Sequence, residues 1–310
     1  MSNSKFKILS MKTIFLIAIL FLINIKVNGQ QLTFSSQYMI DNYITNPAAA
    51  GSYDYSPIAM SFRQQWVGFN EAPKTQMITG HMKIQDHHGV GIKIYNDVVG
   101  PLSRISIQGT YAYHVEIDRK QRLSFGLSFM ANQHKLDATS FNLESVTDQT
   151  LNNAILKSTN IDADFGMYYY TEDYYAGISI PQLFQNKYTF GDNIDKLNKQ
   201  IRHYYLSGGY KFEINRDYKI EPSFLMKAAK NAPTQFELTT RLHYNDMLWG
   251  GITWRVKDAV SIMAGLVYED FVFGYAFDFN TTNIRNYSSG THEVYIAYRI
   301  NERNKPSFAR

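Results

Sequence analysis

The chain contains no cysteine, and beyond its first segment, residues 1–29, it contains no long run of apolar residues. The missing cysteines exclude disulfides, thiol chemistry, thiolate metal sites and a lipid anchor on cysteine. Because no stretch of about 18 apolar residues follows the first segment, no transmembrane helix is predicted.

The chain that follows residue 29 also lacks a net charge. The lysines of the first segment, Lys5, Lys7, Lys12 and Lys26, account for the whole formal charge of +4. The rest of the chain balances 27 basic residues against 27 acidic ones. The sequence pI of about 8.9 therefore gives no support to nucleic-acid binding, and none is predicted.

The first 29 residues predict a secretory signal peptide. A basic start leads into a mostly apolar run from Thr13 to Ile23, and Val27 and Gly29 supply small residues before an expected cleavage. The apolar run is too short for a spanning helix. We therefore expect an exported protein whose mature chain starts at Gln30.

The sequence is rich in aromatic residues, with 23 tyrosines and 20 phenylalanines, and in segments where apolar and polar residues alternate. From Ser103 to Ile117 apolar and polar side chains alternate, which indicates a β-strand with one apolar and one polar face. Soluble strands usually run about 5–6 residues, whereas membrane-crossing strands need about 9–11 tilted residues. The pattern therefore favours a membrane barrel.

Similar segments along the chain predict fourteen strands. They are Pro57–Trp66, Lys74–Ile84, Gly89–Asn96, Ser103–Ile117, Gln121–Asn132, Asn160–Thr171, Tyr174–Gln182, Arg202–Phe212, Tyr218–Lys227, Thr234–Tyr244, Met247–Arg255, Ala259–Leu266, Phe271–Asn280 and Thr291–Ile300.

The links between these strands fall into two classes. Even-numbered links are all short and polar, whereas the three longest links, 133–159, 183–201 and 281–290, are odd-numbered. Outer-membrane barrels have short periplasmic turns and long external loops, so this parity places both termini in the periplasm. The predicted fold is all-β: a transmembrane antiparallel β-barrel of about fourteen strands. A soluble sandwich or propeller is the alternative that alternation alone permits.

The sequence divides into four parts: a signal peptide (1–29), an N-terminal plug-like segment (30–55), the barrel (56–300) and a periplasmic tail (301–310). In the plug-like segment a loosely helical apolar spacing is broken by Asn46-Pro47. Such an apolar element is expected to pack inside the barrel or against its periplasmic mouth.

No catalytic or metal-binding motif is found. The 8 histidines are scattered, and there is no G-x-S-x-G, no H-E-x-x-H and no aspartate-rich calcium loop. We therefore predict no catalytic residue, no metal and no cofactor. A barrel enzyme would need Ser, His and Asp side chains that converge at one rim.

The start of the mature chain resembles the PorP/SprF family. Ser35-Ser-Gln-Tyr-Met39 and Asn46-Pro-Ala-Ala-Ala-Gly-Ser52 precede Arg63-Gln-Gln-Trp66, Gly68 and Ala72-Pro-Lys-Thr75, and His292-Glu-Val294 is similar too. The residues assigned to the family motif, in structural or partner-contact roles, are Asn46, Pro47, Gly51, Arg63, Trp66, Gly68, Pro73, His292 and Glu293.

The resemblance implies a non-enzymatic outer-membrane barrel of the type IX secretion and gliding-motility machinery of Bacteroidetes. Such a barrel would support secretion or surface attachment of specific cargo, such as a large adhesin. Implied partners are outer-membrane lipid, periplasmic ring and peptidoglycan-binding components, and the secreted cargo. The alternative function is a passive outer-membrane porin or solute channel with an open lumen.

Two groups of motif residues have expected structural roles. Asn46, Pro47 and Gly51 are expected to shape the turn into the first strand, where glycine permits a positive φ. Arg63 and Trp66 are expected to pin the N-terminal segment through an ion pair and stacking.

Overall fold

A computed structural model describes residues 35–140, 155–187 and 199–301. The expected signal peptide and residues 302–310 of the expected tail lie outside these ranges, as do parts of two long links. The described residues form a closed antiparallel barrel of fourteen long strands, with one additional strand of two residues. The predicted barrel is confirmed.

The strands, numbered in chain order, are β1 (Tyr55–Gln64), β2 (Lys74–Gln85), β3 (His88–Val99), β4 (Leu102–Glu116), β5 (Arg122–Asp137), β6 (Ile155–Tyr170), β7 (Tyr174–Ile180), β8 (His203–Tyr210), β9 (Phe212–Glu213), β10 (Tyr218–Ala229), β11 (Gln235–Tyr244), β12 (Leu248–Arg255), β13 (Ala259–Tyr268), β14 (Phe271–Asn280) and β15 (Thr291–Asn301). Strands β3, β5 and β6 extend several residues past their predicted ends on the side of the long links.

Each strand pairs with the next one in sequence, except that β8 and β9 both pair with β10, and the first and last strands close the ring. The closing ladder runs from Tyr55 opposite Asn301 to Gln64 opposite His292. Closure leaves no free sheet edge in the barrel wall, which is the condition for a sheet to cross a bilayer.

Strand β9 begins at Phe212, the C-terminal residue of the predicted eighth strand. Gly209 lies opposite Ser223 and Phe212 lies opposite Ile220, so β8 and β9 keep one register against β10. The interruption between them faces Pro222, which has no N–H to donate to a ladder. The extra strand is therefore a local gap and not an additional crossing.

The two faces of the wall meet different surroundings. On β4 the outward Ile105 and Ile107 are about half exposed, while the inward Ser106 and Gln108 are almost fully buried. The same alternation recurs around the barrel. A continuous apolar exterior with a polar interior is the arrangement of a membrane barrel. In the described ranges, no helix has the length and apolar character needed to span a membrane.

The barrel has two distinct mouths. The links β2–β3, β4–β5, β6–β7, β9–β10, β11–β12 and β13–β14 define the short-link mouth, and the links β5–β6, β7–β8 and β14–β15 lie at the opposite, long-link mouth.

Residues 35–54, here called the N-terminal segment, run through the lumen from one mouth to the other. Ser36 contacts Asp278 near the long-link end of β14, whereas Gly51 lies against Gly89 beside the β2–β3 link. Short 3-10 turns form at Asn42–Ile44 and Pro47–Ala49. The expected packing of this segment in the barrel is thus confirmed.

Candidate functional site

The N-terminal segment is held near the long-link mouth by buried charges. Arg63 donates to the carboxylate of Asp278 at 2.8 Å and to that of Glu293 at 3.0 Å. The same guanidinium donates to Ser36 Oγ at 2.6 Å. Glu293 in turn accepts Ser35 Oγ–H at 2.5 Å and Ser36 N–H at 2.7 Å. We call these residues, with Arg255, the anchor cluster.

Arg255 on β12 extends the anchor cluster along the inner wall towards β11. It donates to Ser36 Oγ at 3.2 Å and to Asp278 at 3.4 Å, and it lies 3.7 Å from Glu237. Glu237 also forms an ion pair with Lys227 at 2.7 Å. Cations and carboxylates therefore alternate, so that each buried charge has an opposite charge beside it.

Histidines hold the segment at the other mouth. His81 Nδ1 accepts the N–H of Gly51 at 3.0 Å, so its Nε2 carries the proton that faces Asp41 at 3.2 Å. His114 Nε2 lies 2.8 Å from the carbonyl of Ala50, and its Nδ1 lies 2.9 Å from the Tyr170 hydroxyl. Each ring is thus used on both nitrogens.

Tyr43 fixes the middle of the segment. Its hydroxyl lies 2.8 Å from Thr110 Oγ1, which is itself 2.7 Å from Ser128 Oγ. Tyr43 is almost fully buried, so these hydrogen bonds replace those that its hydroxyl would make with water.

Asn46 links the Pro47–Ala49 turn to the wall. Its side-chain oxygen accepts the N–H of Ala48 at 3.0 Å, and its amide donates to the carbonyls of Met167 at 3.0 Å and Ile178 at 3.3 Å. Pro47 occupies the first position of the turn, where a missing N–H costs nothing. One side chain thus caps the turn and bridges β6 to β7.

We expect Asn46→Ala to lower the free energy of unfolding by about 1–3 kcal/mol, because the cap and two buried carbonyls lose their donor or acceptor. Urea unfolding in detergent micelles measures this loss. Asn96→Ala is the matched control, since Asn96 makes only a long exposed contact of 3.5 Å to Gln76. Equal stabilities for the two variants would contradict the assigned role.

Glycines on the inner wall make room for the segment. A Cβ at Gly126 would lie 2.3 Å from the backbone N of Ala48, and one at Gly89 would lie 2.0 Å from the carbonyl O of Ala50. At Gly166 it would lie 2.0 Å from the Asn46 amide oxygen. Backbone meets backbone at this wall, and any larger side chain would have to displace the segment.

The predicted motif residues fall into separate places. Asn46, Pro47 and Gly51 meet the wall near the short-link mouth, where Gly51 has φ +77°. Arg63 and Glu293 meet in the anchor cluster. The ion pair expected for Arg63 is therefore present in the geometry.

The remaining motif residues lie near the long-link mouth, away from the segment. Trp66 and Gly68 lie in the β1–β2 link, where the backbone N–H of Trp66 donates to Thr291 Oγ1 at 3.2 Å. The carbonyl of Pro73 accepts the N–H of Gln65 at 2.9 Å. His292 points outward and lies 2.6 Å from the Tyr275 hydroxyl.

Several contact residues carry no sequence signal of their own. They are Asp278, Arg255, His81, His114 and the glycines of the inner wall. The one available hint is a row of small inward residues across four neighbouring strands: Gly89 on β3, Ala112 on β4, Gly126 on β5 and Gly166 on β6. Among the described residues, no cluster of three or more His, Asp or Glu side chains could hold a metal ion.

This combination of a closed barrel, an apolar exterior and a lumen occupied by the chain's own N-terminal segment defines a plugged outer-membrane β-barrel. Solved structures of outer-membrane barrels share the fold. A Pseudomonas aeruginosa FadL homologue aligns with a TM-score of 0.52 at 10% identity, covering 89% of this chain and 96% of the other. The CymD monoaromatic hydrocarbon channel aligns with a TM-score of 0.51 at 12% identity, covering 88% and 94%.

The chain belongs to the PorP/SprF family of type IX secretion system membrane proteins, whose profile matches residues 27–298. The predicted family is therefore confirmed. A comparison with curated proteins gave no match.

Proposed function

We propose that this protein is a non-enzymatic barrel of the type IX secretion machinery that supports secretion or surface attachment of specific cargo, such as a large adhesin. The observation that carries the proposal is the bonded N-terminal segment, which occupies the lumen of a barrel of this family. A lumen filled in this way suits a scaffold better than a solute channel. No cofactor enters the proposed role.

We propose that the short-link mouth faces the periplasm and the long links face outward. The short links at one mouth support this orientation, because outer-membrane barrels place short turns in the periplasm. Periplasmic ring and peptidoglycan-binding components would then meet the short-link mouth, and cargo would meet the long links. The location of both termini in the periplasm stays a prediction: residues 302–310 lie outside the described ranges, and Ser35, the first described residue, lies near the long-link mouth.

Affinity purification of the tagged protein in mild detergent, followed by mass spectrometry, tests the proposal. We expect type IX components or one large surface protein to be recovered with the barrel. An untagged strain and a tagged, unrelated outer-membrane barrel serve as controls. Recovery of the barrel alone would contradict the proposal.

Conductance in planar bilayers separates the scaffold from the porin. We expect the purified protein to conduct KCl no better than protein-free bilayers, because the N-terminal segment is bonded to the wall near both mouths and obstructs the polar lumen. A variant that lacks residues 35–52 is expected to conduct, since the exposed wall is lined by Ser106, Thr110, Ser124 and Ser128. Stable channels from the unmodified protein would favour the passive porin instead.

A further inference from the structure

The N-terminal segment leaves part of the lumen empty at the short-link mouth. The Pro47–Ala49 turn packs against β4, β5 and β6, while a cavity of about 570 Å³ remains beside it. Met39, Ile40 and Trp249 lie at its inner end, and the short links at residues 119–120, 172–173 and 246 form its rim. Ligand pockets usually span about 300–1,000 Å³, so this cavity, here called the vestibule, has the size of a binding site.

Tyrosines dominate the vestibule wall. They come from the N-terminal segment and from strands β1, β6, β7 and β8. Several of their rings are in contact: Tyr168 with Tyr170 at 5.4 Å, Tyr168 with Tyr175 at 5.7 Å, and Tyr53 with Tyr55 at 5.3 Å. The lining tyrosines are Tyr53, Tyr55, Tyr168, Tyr170, Tyr174, Tyr175 and Tyr210. Tyrosine offers rigid, amphipathic contact area at low entropic cost, which suits recognition of polypeptide.

Charge inside the vestibule is unbalanced. Its buried or half-buried cations are Arg122, Lys211, Arg241 and Arg299, whereas Glu221 is the one lining carboxylate with comparable burial. The other lining carboxylates, Asp54, Glu172, Asp173 and Asp246, are exposed at the rim. The interior therefore has an excess of positive charge.

The single inner carboxylate is already occupied. Glu221 accepts from Arg241 at 2.7 Å and faces His243 Nε2 at 3.0 Å. Arg241 also donates to the carbonyl of Met39 at 3.0 Å. Both carboxylate oxygens of Glu221 are thus bonded to side chains of the wall.

Two of those cations form no ion pair within 4.0 Å of a carboxylate in the described ranges. Arg299 lies 4.8 Å above the ring of Tyr55, and neither it nor Lys211 forms an ion pair with a described carboxylate. Half-buried cations gain most from an anionic ligand, because charge-assisted hydrogen bonds strengthen where water is partly excluded. An arginine fork above an aromatic ring is a carboxylate-binding arrangement.

We propose that the vestibule binds an acidic polypeptide segment that enters from the short-link mouth. Arg299 and Lys211 hold its carboxylates, and the tyrosines pack against its backbone and its apolar side chains. The size of the cavity and its aromatic wall favour a polypeptide over a small anion. This inference concerns the ligand chemistry of the cavity and does not depend on the secretion role.

Fluorescence of Trp249 reports binding directly, since this residue lines the vestibule. In a Trp66→Phe/Trp254→Phe background it is the sole tryptophan. The probe is an acetylated, amidated octapeptide of alternating Glu and Phe, and the comparison peptides replace Glu with Gln or Lys. We expect saturable quenching by the Glu peptide, with affinity about tenfold or more above that of both comparison peptides and falling with added salt.

Substitutions of single cations test which residues of the vestibule bind the peptide. Arg299→Gln and Lys211→Gln are each expected to weaken the Glu peptide by about tenfold, whereas Arg285→Gln, an exposed change near the long-link mouth, leaves it unchanged. Thermal melts confirm that each variant is folded. Equal binding of the Gln peptide, or unchanged affinity in both vestibule variants, would overturn the proposal. Inorganic phosphate that quenches Trp249 and displaces the peptide at similar concentration would identify a small-anion site and also overturn it.

Discussion

Gly126→Leu is expected to force the Pro47–Ala49 turn away from the wall and to lower the free energy of unfolding by about 3 kcal/mol or more. The reason is geometric. The Cβ alone would lie 2.3 Å from the N of Ala48 and 2.4 Å from the C of Pro47, and both are backbone atoms that cannot rotate aside. A displaced turn would also lose the bonds from Ser124 to Ala48 and from His114 to Ala50.

Gly109→Leu is the matched control for this change. Gly109 lies on the outward face of the adjacent strand β4, opposite Phe129, and a Cβ there would meet nothing within 4 Å. Urea unfolding in micelles measures stability, and chymotrypsin cleavage after Tyr38 or Tyr43 reports release of the segment. If Gly126→Leu matched Gly109→Leu in both assays, the close approach of segment and wall would be refuted.

Arg63→Met is expected to lower the free energy of unfolding by about 3–5 kcal/mol, the usual cost of removing one partner from a buried ion pair. The change leaves the Glu293 carboxylate with the Ser35 hydroxyl and the Ser36 amide. It leaves Asp278 with the Ser36 hydroxyl and the more distant Arg255. A second change, Glu293→Gln in the same chain, removes the stranded charge and should recover part of the loss.

The control for Arg63 is an exposed ion pair on the same barrel. Lys219 and Asp246 are 2.8 Å apart, as close as Arg63 and Asp278, but the Asp246 side chain is 69% exposed. Lys219→Met should therefore cost at most about 1 kcal/mol. A loss for Arg63→Met no larger than that for Lys219→Met would show that the anchor cluster does not stabilise the barrel.

The strands were predictable because their signal is local. On β4 apolar and polar side chains alternate because one side of the strand faces apolar surroundings and the other faces the polar interior. This alternation can be read from a few adjacent residues. The parity of the links needed only their lengths. By contrast, the gap between β8 and β9 was not predicted. It faces Pro222 on the paired strand β10, which cannot donate a ladder hydrogen bond and which comes later in the sequence than the gap.

The site was only partly predictable. The N-terminal motif located Asn46, Gly51 and Arg63, but it gave no information on what they touch. Arg63 meets Asp278 and Glu293, which lie 215 and 230 positions further along the chain. Trp66 and His292 belong to the same motif and yet lie apart from the segment, in the β1–β2 link and on the outer wall.

The sequence by itself determined a membrane barrel, its number of crossings, its two mouths and its family, since these depend on short-range alternation, link length and motif. Only the tertiary structure decided which residues fill the lumen, which charges neutralise one another and where empty space remains. Those outcomes depend on closure of the ring, which brings strands from opposite ends of the chain around residues 35–54 and places side chains hundreds of positions apart within hydrogen-bonding distance.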